Sequence, residues 1–435
     1  MTSPTPLLVG MFGGGTVGGG VYQLLQKLAN TSSKSNLSRR RPIVIKTICV
    51  RSLDKPRDFD IDTTQTTLTT DPQAILQDAS IDCVVEVMGG TGLAQTVVLE
   101  ALRAKKAVVT ANKALLAEYL TECATAAIDN DSVLAYEAAV CGGIPIIQLL
   151  QAAYAGDTIQ AIQGICNGTT NYMLCKMEQG ADYDAVLKEA QDLGYAEADP
   201  TADVEGHDVR AKIALLAKLA FGPTIHKVVE DIPCLGISAI TSVDFAYGKL
   251  HNTTIKLIGC AQLLPQDPNT LSVYVSPVMV PRSHALASAT GSGNLVTVTS
   301  HNMGATPCSY SGPGAGRFPT ANSIVADVMR VANGTAVHPP FPRHVTHLTL
   351  QPDYRADHWY LRFAPSAHLS QVVAAAQFAN VNIASLETVQ GHLCVVTDAC
   401  QRSQLQALTD HVLANSSRGT DESSNQALFM PFLKE

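Results

Sequence analysis

Leu7-Leu8-Val9-Gly10-Met11-Phe12-Gly13-Gly14-Gly15-Thr16-Val17-Gly18 is the stretch whose reading decides the fold. Its first half is a short continuous apolar run, the pattern of a strand covered on both faces of a parallel sheet. Its second half matches G-x-G-x-x-G, and Val21, Leu24, Leu25 and Leu28 follow at helical spacing. Glycines allow a tight turn and close backbone approach, while the free N–H groups and dipole of a helix start attract a pyrophosphate. Strand, glycine turn and helix in that order point to a dinucleotide site built from Gly13, Gly15, Thr16, Val17 and Gly18. The competing reading is a glycine turn that holds nothing.

Working outward, Ile43 to Val50 reads as a second strand that ends at Arg51 instead of an acidic residue. An acid there would bond the ribose 2′-hydroxyl of NAD, whereas Arg51, with Lys55 and Arg57 nearby, suits the 2′-phosphate of NADP. NADP(H) is therefore expected over NAD(H), against the alternative of a solvated arginine. Ile81 to Met88 is a further strand that runs into Gly89-Gly90, and Ala107 to Thr110 one that runs into Ala111-Asn112-Lys113. Strands alternating with helices predict an α/β, Rossmann-type doubly wound domain over residues 1–140. Ligands bind beyond the carboxyl ends of such strands, which brings Gly89, Gly90 and Lys113 towards the cofactor. A water-facing lysine beside a helix N-cap is the other reading of Lys113. After the strand Ser132 to Tyr136 comes Glu137-Ala138-Ala139-Val140-Cys141-Gly142-Gly143-Ile144-Pro145, a loop whose carbonyls and one carboxylate suit a hard cation.

From about Gln148 the pattern becomes α+β: a strand from Ile159 to Cys166, a polar turn Asn167-Gly168-Thr169-Thr170-Asn171, and a helix around Val186 to Leu193. Gly194 to Lys212 then packs five carboxylates and one lysine into nineteen residues. Asp199-Pro200 imposes a turn, and Thr201 or Asp203 is expected to cap a helix running towards Leu219. Asp208 and Lys212, four apart, share one face of that helix in the favourable acid-before-base order. Thr253 to Leu263, Leu271 to Val280 and Asn294 to Thr299 supply an open mixed sheet that can pair two subunits. The loop Ser311 to Gly316 before a helix at Thr320 to Val331 either approaches the cofactor through Gly316 or simply turns. Pro339, Pro340 and Pro342 mark a linker. Beyond it, strand-helix-strand-strand-helix from His358 to Ala414 suggests a small ferredoxin-like module, followed by a polar, mobile Asn415 to Gln426. The expected division is 1–140, with 318–340 packing back on it; 141–317 for substrate, catalysis and dimerisation; and 346–435.

At 435 residues the chain is long enough for two or three cores, and 46% hydrophobic against 16% charged residues excludes a disordered or extended class. A net charge of −8 gives no support to nucleic-acid or anionic-membrane partners. Eleven cysteines without a Cys-x-x-Cys pair indicate neither a disulfide framework nor a zinc knuckle, so a reducing, cytoplasmic setting is expected. No apolar run reaches spanning length.

Taken together the motifs resemble the homoserine dehydrogenases of the monofunctional type, and the likeness covers essentially the whole chain. They are Gly13-x-Gly15-x-x-Gly18, Thr110-Ala111-Asn112-Lys113, Tyr136-Glu137-Ala138 with Gly142-Gly143-Ile144-Pro145, Asn167 to Tyr172, and Gly194 to Pro200 through Asp203, Gly206, Asp208 and Lys212. The resemblance implies reversible NAD(P)H-dependent reduction of L-aspartate 4-semialdehyde to L-homoserine, on the route to threonine, methionine and isoleucine. It implies that Lys212 and Lys113 flank the reacting oxygen, with Asp208 orienting Lys212 and the substrate. It further implies that Thr170, Glu197 and Asp203 position the amino-acid end. A monovalent cation, commonly sodium, is implied at Glu137, Val140, Gly142 and Ile144, and a homodimer or homotetramer as the assembly. No aminoterminal kinase segment is seen, which fits the monofunctional type. The last module is similar to an ACT domain with threonine as effector, but its Asp-x-Pro-Gly turn is replaced by Ala364-Pro365-Ser366-Ala367-His368-Leu369. That departure counts against threonine feedback and leaves a structural or dimerising role. Two competing readings are an aldehyde dehydrogenase using Cys141 as nucleophile and a nucleotide sensor without turnover. Buried inert cysteines are commoner than activated ones, and retention of Lys113, Asp208 and Lys212 weakens the sensor.

Overall fold

A computed structural model of the chain describes residues 5–32, 41–222, 229–264, 267–336, 348–351, 353–415 and 427–433. The linker prolines, residues 33–40 of the polar insertion and residues 416–426 lie outside these. Two compact units divide the chain. One comprises Met1–Ile159, Ala214–Val229 and Gly312–Thr346; the other comprises Gln160–Ile213, Glu230–Ser311 and His347–Glu435.

The first unit holds β1 (Leu7–Phe12), β2 (Ile43–Cys49), β3 (Thr67–Thr69), β4 (Cys83–Glu86), β5 (Ala107–Thr110) and β6 (Leu134–Ala135). All pair in parallel, in the order β3-β2-β1-β4-β5-β6. Strand order reverses between β1 and β4, so a crevice opens beyond their carboxyl ends. Both sheet faces are covered, which is why β4 and β5 are buried at every position without alternation. The core joins Val9, Met11, Val85 and Val109 to Val21 and Leu25 of the helix Thr16–Ser32 and to Ala321, Ile324 and Val328 of the helix Arg317–Ala332. These two helices touch through glycine: a Cβ on Gly20 would lie 3.0 Å from the Ala321 Cβ and from the Arg317 carbonyl. Gly19-Gly20 thus serves helix packing beyond the end of the nucleotide motif.

In the second unit β7 (Ile159–Ile165), β8 (Thr253–Leu264), β9 (Asp267–Pro281), β10 (Gly293–Ser300), β11 (Gly304–Pro313) and β12 (Thr349–Gln351) form a sheet ordered β11-β10-β7-β8-β9-β12. It is mixed, since β7, β8 and β9 are antiparallel while β12 joins β9 in parallel. β13 (Arg355–Ala356) precedes a second, antiparallel sheet of β14 (Trp359–Phe363), β15 (Ile383–Val389), β16 (His392–Thr397) and, after β17 (Cys400–Gln401), β18 (Leu428–Pro431), ordered β15-β16-β14-β18. With the helices Leu369–Phe378 and Arg402–Asn415 this is the βαββαβ arrangement expected of a ferredoxin-like module. Its core is continuous with the larger sheet, because Cys260 and Tyr274 of β8 and β9 pack with Tyr354, Trp359 and Leu361.

Three local expectations change. Asn167 to Asn171 is no free turn: Asn167 caps a helix Gly168–Glu178 by accepting from the Thr170 amide at 2.8 Å. The single helix expected from Thr201 onward is two, Thr201–Val204 and His207–Phe221, separated at Gly206, whose φ of +80° no side-chain-bearing residue adopts easily. Thr201 and Asp203 both lie within the shorter helix, and Gly206 precedes the longer one. The Ser311 end of the glycine-rich loop is strand, the last residues of β11, leaving Gly314 to Gly316 as the turn.

Candidate active site

At the end of β1 Gly13 turns back with φ +109°, donating its amide to the Cys49 carbonyl at 2.9 Å. A Cβ there would meet the Val87 carbonyl at 2.7 Å, and one on Gly18 the Gly13 carbonyl at 2.2 Å, so both positions demand glycine for fold reasons. Gly15 differs. Nothing lies within 4 Å of where its Cβ would be, and Gly15 and Thr16 are exposed at the start of a seventeen-residue helix with Val17 half-buried behind them. The open space is what a pyrophosphate needs to reach the amides. Arg51 and Lys55 are exposed beyond β2, while Arg57 knits their loop, donating to the carbonyls of Ser52, Leu53 and Lys55. Arg317 ion-pairs with Asp58 on the same loop, and Gly316, φ +114°, precedes its helix.

A buried acid organises the carboxyl edge of β4 and β5. Glu86, fully buried, accepts from the Met88 amide at 2.8 Å and from the Thr110 hydroxyl at 2.6 Å. Thr110 Oγ1 takes the Asn112 amide at 3.0 Å, and Asn112 Nδ2 donates to the Gly90 carbonyl at 2.7 Å. The Asn112 side chain caps the helix Lys113–Asp129 through the Leu115 amide. Gly89 and Gly90, both at positive φ with open Cβ directions, and Lys113, half-buried, are thereby fixed at the ligand edge of this sheet.

The loop Glu137 to Ile144 belongs to the same unit. Glu137 accepts from the amides of Ile147 and Gln148 at 2.9 and 2.8 Å, and burial together with the Asp327 charge pushes its carboxyl up to about 7. Asp327, raised to about 6 by burial, takes the Glu137 amide and Arg330. Cys141 and Gly142 both have positive φ, which twists successive carbonyls of Val140, Cys141 and Gly142. The Gly142 carbonyl accepts from Ser323 at 2.6 Å and that of Ile144 from the Ile146 amide at 2.8 Å; each keeps a second lone pair. Cys141 is buried, an inert setting for a thiol. Among the described residues no three His, Cys, Asp or Glu side chains gather as metal ligands.

In the second unit, two of the five carboxylates gather at the one lysine, Asp208 directly and Asp203 through an asparagine, while Asp199 bonds Thr201 and Glu205 bonds Ser238. Lys212, 9% exposed, donates to Asp208 Oδ2 at 2.7 Å and to the Cys166 carbonyl at 2.6 Å. Asn167, also buried, donates from Nδ2 to Asp203 at 2.6 Å and Asp208 at 2.9 Å, while its Oδ1 accepts from the Thr170 amide and hydroxyl. Asp203, Asp208, Lys212 and Thr170 are therefore one network, held together by an asparagine that the sequence pattern alone places in a turn. An N-cap signal before Gly-Thr-Thr was the available clue. Glu197 stays apart: it is exposed, and it is its backbone carbonyl that is bonded, from Gln191 at 3.2 Å.

A family model described as the NAD binding domain of homoserine dehydrogenase matches residues 13–137, and one described as homoserine dehydrogenase matches residues 145–329. The chain is 44% identical to a homoserine dehydrogenase of Synechocystis over 325 residues, 74% of this chain and 72% of that protein. It is 37% identical to that of Neisseria gonorrhoeae over 398 residues, 88% of each. The crystal structure of a homoserine dehydrogenase from Thiobacillus denitrificans superposes with a TM-score of 0.87 at 32% identity, covering 100% of this chain and 99% of that one. Dinucleotide crevice, lysine-carboxylate network and these likenesses agree: the chain belongs to the homoserine dehydrogenase family, NAD(P)-dependent oxidoreductases of the CH–OH group that interconvert L-aspartate 4-semialdehyde and L-homoserine.

Proposed function

We propose that in this reaction Lys212 is the proton donor to the carbonyl oxygen, with Lys113 as a second cation at that oxygen and Asp208 orienting Lys212. The observation that carries it is the buried Lys212–Asp208 pair at 2.7 Å, the one buried lysine of the second unit held by a carboxylate among the described residues. The nicotinamide cofactor supplies the hydride. Reduction leaves charge on oxygen, and an ammonium fixed beside it stabilises that charge and delivers the proton. Asp203 and Thr170, joined to the pair through Asn167, bind the amino-acid end of the substrate, and Glu197 completes that subsite from its exposed position. Replacing Lys212 or Lys113 by alanine should lower kcat by about a hundredfold or more while cofactor affinity changes little. Near-normal kcat in both variants would overturn these roles.

Arg51 and Lys55, beyond the end of β2 where an acid would favour NAD, support a preference for NADP. The left-handed turn at Cys141 and Gly142 beside the buried Glu137 carboxylate fits a hard monovalent cation, sodium, at Glu137, Val140, Gly142 and Ile144. In this reading residues 1–140 with 318–340 carry the cofactor, 141–317 the substrate and the dimer contact, and 346–435 an ACT-like module. L-Threonine is its candidate effector, against which the missing Asp-x-Pro-Gly turn argues. One assay tests these together: homoserine oxidation with NADP or NAD, in sodium or tetramethylammonium, with and without threonine. Higher kcat/KM with NADP and with sodium is expected, and equal rates sink both assignments.

A further inference from the structure

The helix Lys113–Asp129 contains neither proline nor glycine, yet Tyr119 sits at φ −112°, ψ 15°, outside the helical region, and the helix kinks there. Kinks have causes: proline, Gly/Ser pairs, a π-bulge, or a side chain that enters the hydrogen-bond ladder. The last of these is present. Lys218, 3% exposed, donates its ammonium to the carbonyl of Ala117 at 2.6 Å, two residues before Tyr119.

Lys218 is an expensive residue at that position. Burial pulls its ammonium below the usual lysine value, and no carboxylate pairs with it among the described residues. A methionine or leucine would fill the space without desolvating a charge, so packing alone does not account for it. Its effect is local to the first stretch of the helix. Lys113 to Glu118 is pinned in front by Asn112, which reaches the Gly90 carbonyl and caps the Leu115 amide, and behind by Lys218 on Ala117. Lys113 is the first residue of that pinned stretch.

We propose that Lys218 is a positioning residue for the dehydrogenase reaction, holding the kinked first segment of the helix, and with it Lys113, in the reactive orientation. This rests on the reading that Lys113 takes part in the reaction. A misplacement of this kind acts on kcat through geometry while leaving the fold intact.

The test is a cycle of Lys218→Met, Lys113→Ala and the double variant, with Lys218→Gln, which keeps an N–H donor, as a second probe. Thermal unfolding is measured beside kcat, KM for each substrate, and the primary isotope effect with homoserine deuterated at the carbinol carbon. Lys218→Met is expected to unfold no earlier than wild type. It should lose about tenfold in kcat, hold its cofactor KM, show a larger isotope effect, and add nothing to the Lys113→Ala defect. Wild-type kcat and isotope effect in a folded Lys218→Met enzyme, or in Lys218→Leu should the methionine variant not fold, overturn the proposal, whereas Lys218→Gln, which keeps the donor, is expected to lie nearer wild type. So does a full Lys218→Met defect on top of Lys113→Ala. Normal turnover by Lys113→Ala alone marks instead the failure of the underlying site reading.

Discussion

Asn167 uses every hydrogen-bonding position that an amide offers in one place. Its two N–H protons go to two different carboxylates, Asp203 and Asp208, and its oxygen caps the helix at Thr170. The amide orientation is fixed by that asymmetry, with donors to carboxylates and the acceptor to an amide. Asp208 in turn is the partner of Lys212. Replacing Asn167 by alanine removes a cap worth about 1 kcal/mol and leaves the buried Asp208 and the half-buried Asp203 each short of a donor. Asn167→Asp is the sharper probe, because aspartate caps equally well but places a third negative charge against two. It should fold, and its kcat/KM should fall at least about tenfold through the disturbed lysine-carboxylate network. Unchanged kinetics in folded Asn167→Asp would mean that the network is structural only.

At the scale of elements, the glycine turn separates two duties that a motif merges. A Cβ on Gly18 would meet the Gly13 carbonyl at 2.2 Å, so that position is fixed by backbone packing, whereas one on Gly15 would face open space. Gly18→Ala should therefore destabilise by about 2 kcal/mol or more. Gly15→Val should leave stability within about 0.5 kcal/mol and raise the KM for the dinucleotide steeply. Equal stability losses in the two variants, read by denaturant unfolding, would contradict this division. The same contrast explains what was legible in the sequence. β1, β5 and β16 lie at their apolar runs because burial on a sheet sets the pattern. The break at Gly206 was not legible: a lone glycine inside a helical pattern is ambiguous until its φ is known, and the Asp208-Lys212 spacing reads the same either way. The Asn167 link was hidden for another reason, since it joins residues 36 and 41 positions apart that only tertiary packing brings together.

At the scale of the chain, the carboxy-terminal module is built into the second unit. β12 extends the mixed sheet beside β9, Tyr274 stacks on Tyr354 at 3.9 Å between ring centroids, and the two sheets share one core. The firmest tie is Asp244, fully buried at the start of the helix Ser242–Leu250. Its carboxylate takes the Thr241 amide and hydroxyl on one oxygen and, on the other, the Tyr360 hydroxyl and Arg362 Nε, both at 2.9 Å. Arg362 also donates to the Ala239 carbonyl at 2.8 Å. Burial and the Asp244 charge drive the Tyr360 hydroxyl far above its ordinary value, so it stays a donor at any working pH. Removing the guanidinium with Arg362→Met leaves a buried carboxylate without its counter-charge, which costs about 3 kcal/mol. The double variant Asp244→Asn with Arg362→Met removes both charges and should recover much of that loss. Because the core is shared, homoserine oxidation and far-ultraviolet ellipticity are expected to fall together in one urea transition, shifted to lower urea in Arg362→Met. Two separate transitions, with activity outlasting the loss of the carboxy-terminal sheet, would show a module merely appended to the catalytic unit.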